Sequence, residues 1–151
     1  MSPELPDAWR ELAIAPDRAV ILREGQGQRR AMTGALQDAG APLLLGTDVG
    51  NPYIIPGFSV HEELSLLVAS GLAPFEALAA ATRSAAEFLG QSAEFGTIAE
   101  GHRADVLLVD GNPLEDVTNA NRRAGVIVRG RWFSRADIDQ MLEDLARSFA
   151  R

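Results

Sequence analysis

The sequence predicts an α/β chain, and three observations carry that reading. A short continuous apolar run, Pro42-Leu43-Leu44-Leu45-Gly46, follows a helical pattern and is bounded by turn residues, as in a strand buried on both faces of a parallel sheet. Helical periodicity resumes over residues 59–90. From Phe95 the period shortens to strand-like runs, and an amphipathic pattern closes the chain. These changes divide it into residues 1–94, 95–134 and 135–151.

Taken in order, Pro3, Pro6 and Pro16 interrupt the first segment and leave room for a short helix at residues 8–12. After the Gly25-Gln26-Gly27 break, Ala31, Ala35, Leu36 and Ala39 predict a helix over residues 28–39, with Gly40 at the left-handed position that ends it. The apolar strand then empties into Thr47-Asp48-Val49-Gly50-Asn51-Pro52 and a loop with Pro56 and Gly57, too rich in breakers to continue. Ser59 and Glu62 have capping-box spacing for a helix with Val60, Leu64, Leu67 and Val68 on one face and Gly71 as its stop. Pro74 suits the first turn of the next helix, whose buried stripe includes Leu78 and Ala81. A second box, Ser84 with Glu87, precedes Phe88, Leu89 and the terminating Gly90.

Short β-strands are expected at Gly96-Thr97-Ile98, at Ala104-Asp105-Val106-Leu107-Leu108-Val109-Asp110 and at Gly125-Val126-Ile127-Val128-Arg129-Gly130. Gly130-Arg131-Trp132-Phe133 continues the last as a tight hairpin, and Ser134 with Asp137 caps a final helix carrying Ile138, Met141, Leu142, Leu145 and Phe149. No internal repeat is present.

Composition excludes several chemistries. All 14 basic residues are Arg, so no lysine Schiff base, Walker lysine or lysine general base is available. Zero cysteines remove disulfides, thiolate metal sites and a Cys nucleophile, and a cytoplasmic address is the default. A net charge of −7 repels a phosphate backbone, so no nucleic-acid partner is expected. No run approaches the roughly eighteen apolar residues of a membrane span, and the first residues lack signal-peptide character, so neither a membrane nor export is expected. The charge is uneven: residues 51–121 carry two Arg against ten acids, residues 122–151 seven Arg against four.

Asp48 stands at the carboxyl end of the apolar run, where α/β folds place ligand-binding and catalytic groups. A carboxylate there can bind a metal or take a proton from a bound water, and it can equally brace its own turn. His61 is able to face the same pocket from the helix N-terminus, or to stand as a solvated first-turn histidine. His102 reads as a surface residue in a turn, Glu62 and Glu63 serve the positive helix end, Asp105 and Asp110 bracket a strand, and Arg122-Arg123 reads as a solvated turn. No Gly-rich phosphate loop, nucleophile elbow or HExxH helix appears.

Four stretches in order carry a resemblance: Pro42 through Pro56-Gly57-Phe58-Ser59-Val60-His61-Glu62-Glu63-Leu64, Ala77-Leu78-Ala79-Ala80-Ala81-Thr82, Gly96-Thr97-Ile98-Ala99-Glu100-Gly101, and Ala104 through Asp110-Gly111-Asn112-Pro113-Leu114 with Val128-Arg129-Gly130-Arg131. Together they resemble the C-terminal part of the amidohydrolase superfamily, in the branch of imidazolonepropionase and Xaa-Pro dipeptidases. The resemblance implies the last βα unit and following helices of a metal-dependent hydrolase TIM barrel in residues 1–94, part of a small β-sandwich in residues 95–134, and a closing helix in residues 135–151. It implies hydrolysis of a C–N bond in an amide, cyclic amide or dipeptide-like small molecule. Asp48 would be the metal-facing catalytic carboxylate, and His61 would lie near the substrate loop and contribute to substrate binding.

The departures matter as much. The family's His-x-His pair, its later histidines and its bridging carboxylated lysine have no counterpart here, and a chain of 151 residues lacks about seven barrel strands. With two His and no Lys, the ligands of a divalent cation such as zinc, about three protein groups plus water, cannot be completed without residues from outside this chain. The expectation is therefore a chain inactive in isolation, which docks onto an N-terminal amidohydrolase portion or self-associates. The alternative is a non-catalytic assembly module or inactive fragment in which Asp48 is structural.

Overall fold

Helix α1 (Pro16–Asp38) opens on a proline, whose fixed φ and missing N–H suit a first turn. The structure, a computed structural model, describes residues 16–51 and 54–149, with side chains described from residue 25. The helix predicted over residues 28–39 thus begins at Pro16 and runs through Gly25 and Gly27. Each helical glycine costs about 1 kcal/mol against alanine, too little to interrupt a cooperative helix with turns on both sides. The helix predicted at residues 8–12 lies outside the described residues.

At its end, Gly40 (φ 72°) donates to Gln37 O at 2.9 Å and Ala41 to Leu36 O at 2.9 Å, the paired bonds of a Schellman motif. Helix α2 (Ser59–Ala69) closes the same way at Gly71, whose N–H donates to Val68 O at 3.0 Å while Leu72 donates to Leu67 O at 3.3 Å. That reversal delivers Leu72, 3% exposed, into the core. Where α1 passes α2, a Cβ on Gly34 would lie 2.4 Å from Ser70 O, so only glycine permits the crossing.

Residues 41–47 alternate between half-buried and exposed, as an extended segment does, but join no sheet among the described residues, which corrects the predicted strand. Leu43 and Leu45 pack on the core, while Leu44 between them is 38% exposed instead of buried on its second face. Leu45 N–H donates to Ala80 O at 3.2 Å. A strand exists through ladder partners, and what lies beside this run is a helix carbonyl.

The capping predictions divide. Ser59 falls inside the first turn of α2 and makes no cap hydrogen bond; its Oγ accepts the Ile55 N–H at 2.9 Å and ties down the preceding loop. Helix α3 (Pro74–Ala81) has the expected proline at its start, and Glu76 Oε2 accepts the Ala73 N–H at 2.7 Å. Helix α4 (Arg83–Phe88) has no side-chain cap, and Glu87 instead reaches Arg83 at 3.7 Å. At α5 (Arg135–Phe149) the predicted box forms: Ser134 donates its N–H and its Oγ–H to Asp137 Oδ2 at 2.8 and 2.6 Å, and Asp137 N–H donates to Ser134 Oγ at 3.2 Å.

The core joins Leu64 and Leu67 of α2, Leu72, and Ala77 and Ala80 of α3 to Val117 and Ala120. Leu78 and Ala81, the predicted stripe of α3, are partly buried beside it, so the buried line lies one residue earlier. Val117 and Ala120 belong to a 3₁₀ helix (Val117–Asn121) that periodicity does not reveal; Asp116 Oδ1 starts it by accepting Thr118 N–H at 2.9 Å. Five residues of 3₁₀ helix are too few to show a period.

Strands β1 (Val106–Val109), β2 (Arg123–Val128) and β3 (Arg131–Ser134) form an antiparallel meander, with Val106 opposite Ile127 and Val126 opposite Phe133. Arg129 (φ 49°) and Gly130 (φ 80°) turn the β2–β3 hairpin as predicted. Gly96-Thr97-Ile98 is not a strand; it crosses α4 as irregular backbone. Arg123 opens β2 and is no solvated turn residue. Helix α5 packs on β2 and β3, yet none of its residues is buried, and Leu145 and Phe149 are 55% and 81% exposed. Among the described residues no helix is long and apolar enough to cross a membrane.

Candidate functional site

Asp48 is placed by the extended run before it and the turn after it. Packing of Leu43 and Leu45 fixes the run. The turn is held at Asp48 itself, which adopts a left-handed φ of 54°, a conformation uncommon outside glycine but tolerated best by Asp and Asn. Asn51 Nδ2 donates to Asp48 Oδ2 at 2.6 Å and to Asp48 O at 3.2 Å, and Asn51 N–H to the same carbonyl at 3.4 Å. Side chain and backbone of Asp48 thus share one partner, and the carboxylate is exposed to solvent.

His61 lies elsewhere. Its N–H donates to Phe58 O at 3.1 Å and its carbonyl accepts Ser65 Oγ at 2.9 Å, so its backbone belongs to α2. Its ring Nδ1 is buried without a hydrogen-bond partner. Burial, and then the Arg123 charge, hold its pKa below the usual histidine value, which favours the neutral ring. The structure therefore leaves the His61 ring buried and unpartnered, while the Asp48 carboxylate is held by Asn51. His102 sits in its turn with Nδ1 3.3 Å from Thr97 Oγ1. Glu63 is pushed up by burial and by neighbouring Glu62. Asp105 is held down by Arg129 N–H (2.7 Å) and by Arg103, and so clips the hairpin to the entry of β1.

Sequence reasoning missed a polar cluster where β2 meets α5. Arg123 donates to Asp139 at 2.5 Å, Arg135 pairs with Asp110, and Arg135 Nε donates to Arg123 O at 2.9 Å. With Asn121 and Arg122 these side chains line a cavity of about 310 Å³. The partners stand sixteen and twenty-five residues apart, so no local spacing joins them; the excess of Arg after residue 121 was the available signal. A larger, mainly apolar groove of about 480 Å³ runs between α3, α4 and β1, lined by Leu78, Phe95, Ile98 and Leu107 among others. Neither Asp48 nor His61 lines either cavity. Among the described residues no cluster of three His, Asp or Glu side chains could hold a metal ion, so the donor set of this chain does not by itself fit one.

An exposed acidic turn at the end of an apolar run, helices behind it and a three-stranded antiparallel meander define a mixed helix-and-strand scaffold. The amidohydrolase family model matches residues 15–133, and the chain belongs to that family. It is 38% identical over 104 residues to an imidazolonepropionase of Chromobacterium violaceum, an alignment covering 68% of this chain and 24% of that protein. Among solved structures it superimposes on a bottromycin amidohydrolase (TM-score 0.67, 32% identity, 88% of this chain and 29% of that one). It likewise matches a putative prolidase of Bifidobacterium longum (TM-score 0.63, 38% identity, 74% and 29%). The chain spans about a quarter of the length of these relatives.

Proposed function

We propose that this chain supplies the C-terminal part of an amidohydrolase site that hydrolyses a C–N bond in an amide, cyclic amide or dipeptide-like small molecule. In this reading residues 1–94 are the terminal barrel segment, residues 95–134 a sandwich segment and residues 135–151 the closing helix. Asp48 is the catalytic carboxylate, and the observation that carries this is its place: directly after the extended run, in a left-handed turn braced by Asn51. Amide hydrolysis needs a base for the proton of the attacking water. Asn51 occupies Oδ2, and Oδ1 is the atom that would take the proton. A divalent cation, zinc by preference, belongs to the proposal and when bound supplies Lewis acidity. Its remaining ligands would come from an N-terminal amidohydrolase portion or a second copy, since the described residues hold no complete set. His61 is given no step.

The Asn51 contact also favours a second reading, in which Asp48 only braces the turn of a non-catalytic module. Two substitutions separate the readings. Asp48→Asn keeps an acceptor for Asn51 and tolerates the left-handed φ, but cannot take a proton; Asp48→Ala removes both roles. The chain is co-expressed with the N-terminal portion of an amidohydrolase and assayed on Xaa-Pro dipeptides, N-acyl amino acids and cyclic amides, with zinc measured after dialysis. Asp48→Asn should melt like the native chain and lower kcat by about 10²–10⁴-fold. Full activity in that variant, or none in the native complex, overturns the catalytic reading.

A further inference from the structure

The basic stretch of residues 122–151 is unused by the proposed chemistry, and the fold gathers three of its arginines at one cavity. Arg122, Arg123 and Arg135 line about 310 Å³ together with Asn121, Asp110 and Asp139. The two carboxylates are each committed: Asp110 to Arg135 and Asp139 to Arg123. Arg122 has no carboxylate partner among the described residues and reaches only Asn119 Oδ1, at 3.3 Å. Arg135 Nε holds Arg123 O at 2.9 Å, which fixes that guanidinium at the cavity's edge. Arg123 Nε is buried without an acceptor. Across the cavity lining, three Arg against two Asp leave an excess of one positive charge.

We propose that this cavity binds a small oxyanion, a carboxylate or phosphate group, between Arg122 and Arg123. Its volume lies at the lower end of small-molecule sites. Asp110 and Asp139 hold two of the guanidinium groups in place, which reduces the ordering that binding would require. One negative charge balances the lining, so a monoanionic carboxylate fits the charge more closely than a phosphate dianion. Arg is the side chain whose planar fork matches such oxyanions.

The full chain is titrated with benzoate and, separately, with inorganic phosphate, at ionic strength held constant with sodium chloride, and followed by NMR. The chain has two histidines, His61 and His102, so their ring signals are separable reporters. Burial is the main cause of the lowered His61 pKa and the Arg123 charge the second; an anion beside Arg123 offsets the second, so saturation by either probe should raise the His61 pKa and leave His102 unmoved. Arg122→Gln, which among the described residues gives up one side-chain hydrogen bond, to Asn119, should keep the native melting temperature and bind about tenfold more weakly. Saturation by benzoate alone assigns the site to carboxylates, and saturation by phosphate alone to phosphates. Shifts that never saturate, that chloride reproduces, or that persist unweakened in Arg122→Gln overturn the proposal.

Discussion

Replacing Gly96 by alanine tests whether the backbone of residues 96–98 is shaped by contact with α4. Gly96 has a φ of 95°, which costs an L-residue about 1–2 kcal/mol. Its new Cβ would stand 2.6 Å from Ala86 Cβ, 3.0 Å from Thr82 O and 3.2 Å from Arg83 Cα. Two of these atoms are backbone and the third is a side chain 1% exposed, so none can swing aside. Overpacking of this kind adds about 1–3 kcal/mol, for a combined loss of about 3 kcal/mol. In a chain of this size that lowers Tm by about 10 °C. Gly125→Ala is the control: its Cβ would meet Trp132 Cη2 at 2.0 Å, but that indole is 48% exposed and its far edge can rotate outward. The control should cost under about 1 kcal/mol and expose Trp132 further, seen as a red shift in fluorescence. Urea unfolding of both variants decides. A Gly96→Ala midpoint equal to native, or a Gly125→Ala chain the less stable of the two, refutes the contact argument.

Further substitutions probe the core, a cap and a titrating group. Leu67→Ala, at a position 7% exposed in the cluster shared by α2, α3 and the 3₁₀ helix, should lose about 2–5 kcal/mol in urea unfolding. Ser134→Ala should cost about 1 kcal/mol and return the Asp137 carboxyl, held low by the Ser134 hydroxyl and N–H, toward its ordinary pKa, readable by NMR titration. His61 is lowered in the fold, so the unfolded chain takes up a proton first as pH falls. Stability should therefore decline from the ordinary histidine pKa down through the lowered folded value and level off below it, and His61→Gln should flatten that stretch of the urea midpoint against pH.

What the sequence made legible was punctuation and local pairing. Gly40 and Gly71 mark helix ends because only glycine takes a left-handed C-terminal position without cost, and that constraint is visible one residue at a time. The Ser134–Asp137 box is legible for the same reason. The same spacing at Ser59 and Glu62 misleads because the Ile55 N–H, four residues earlier, claims the Ser59 hydroxyl. The ion pairs Arg123–Asp139 and Arg135–Asp110 were invisible because hairpin and helix bring distant residues together. Thr-Asp after an apolar run was readable as a candidate site; that the His61 ring is buried without a partner depends on what packs over the start of α2, which no spacing encodes.

The run at residues 41–47 shows how a chain covering a quarter of its relatives can still place a candidate side chain. An extended segment sends alternate residues to opposite sides, and here Leu43 and Leu45 go to the helices while Leu44 goes outward. Packing on one side, with the single bond from Leu45 to Ala80, sets the direction in which the run arrives. The left-handed residue and its Asn51 brace then set where the carboxylate stands. Both determinants are local, so Asp48 is positioned without the strands that would flank the run in the proposed barrel. Those strands would supply backbone partners for the extended segment, cover for Leu44 and a drier setting for the carboxylate. On the proposed reading, geometry is carried by this chain and the reactive environment by whatever docks along that open edge.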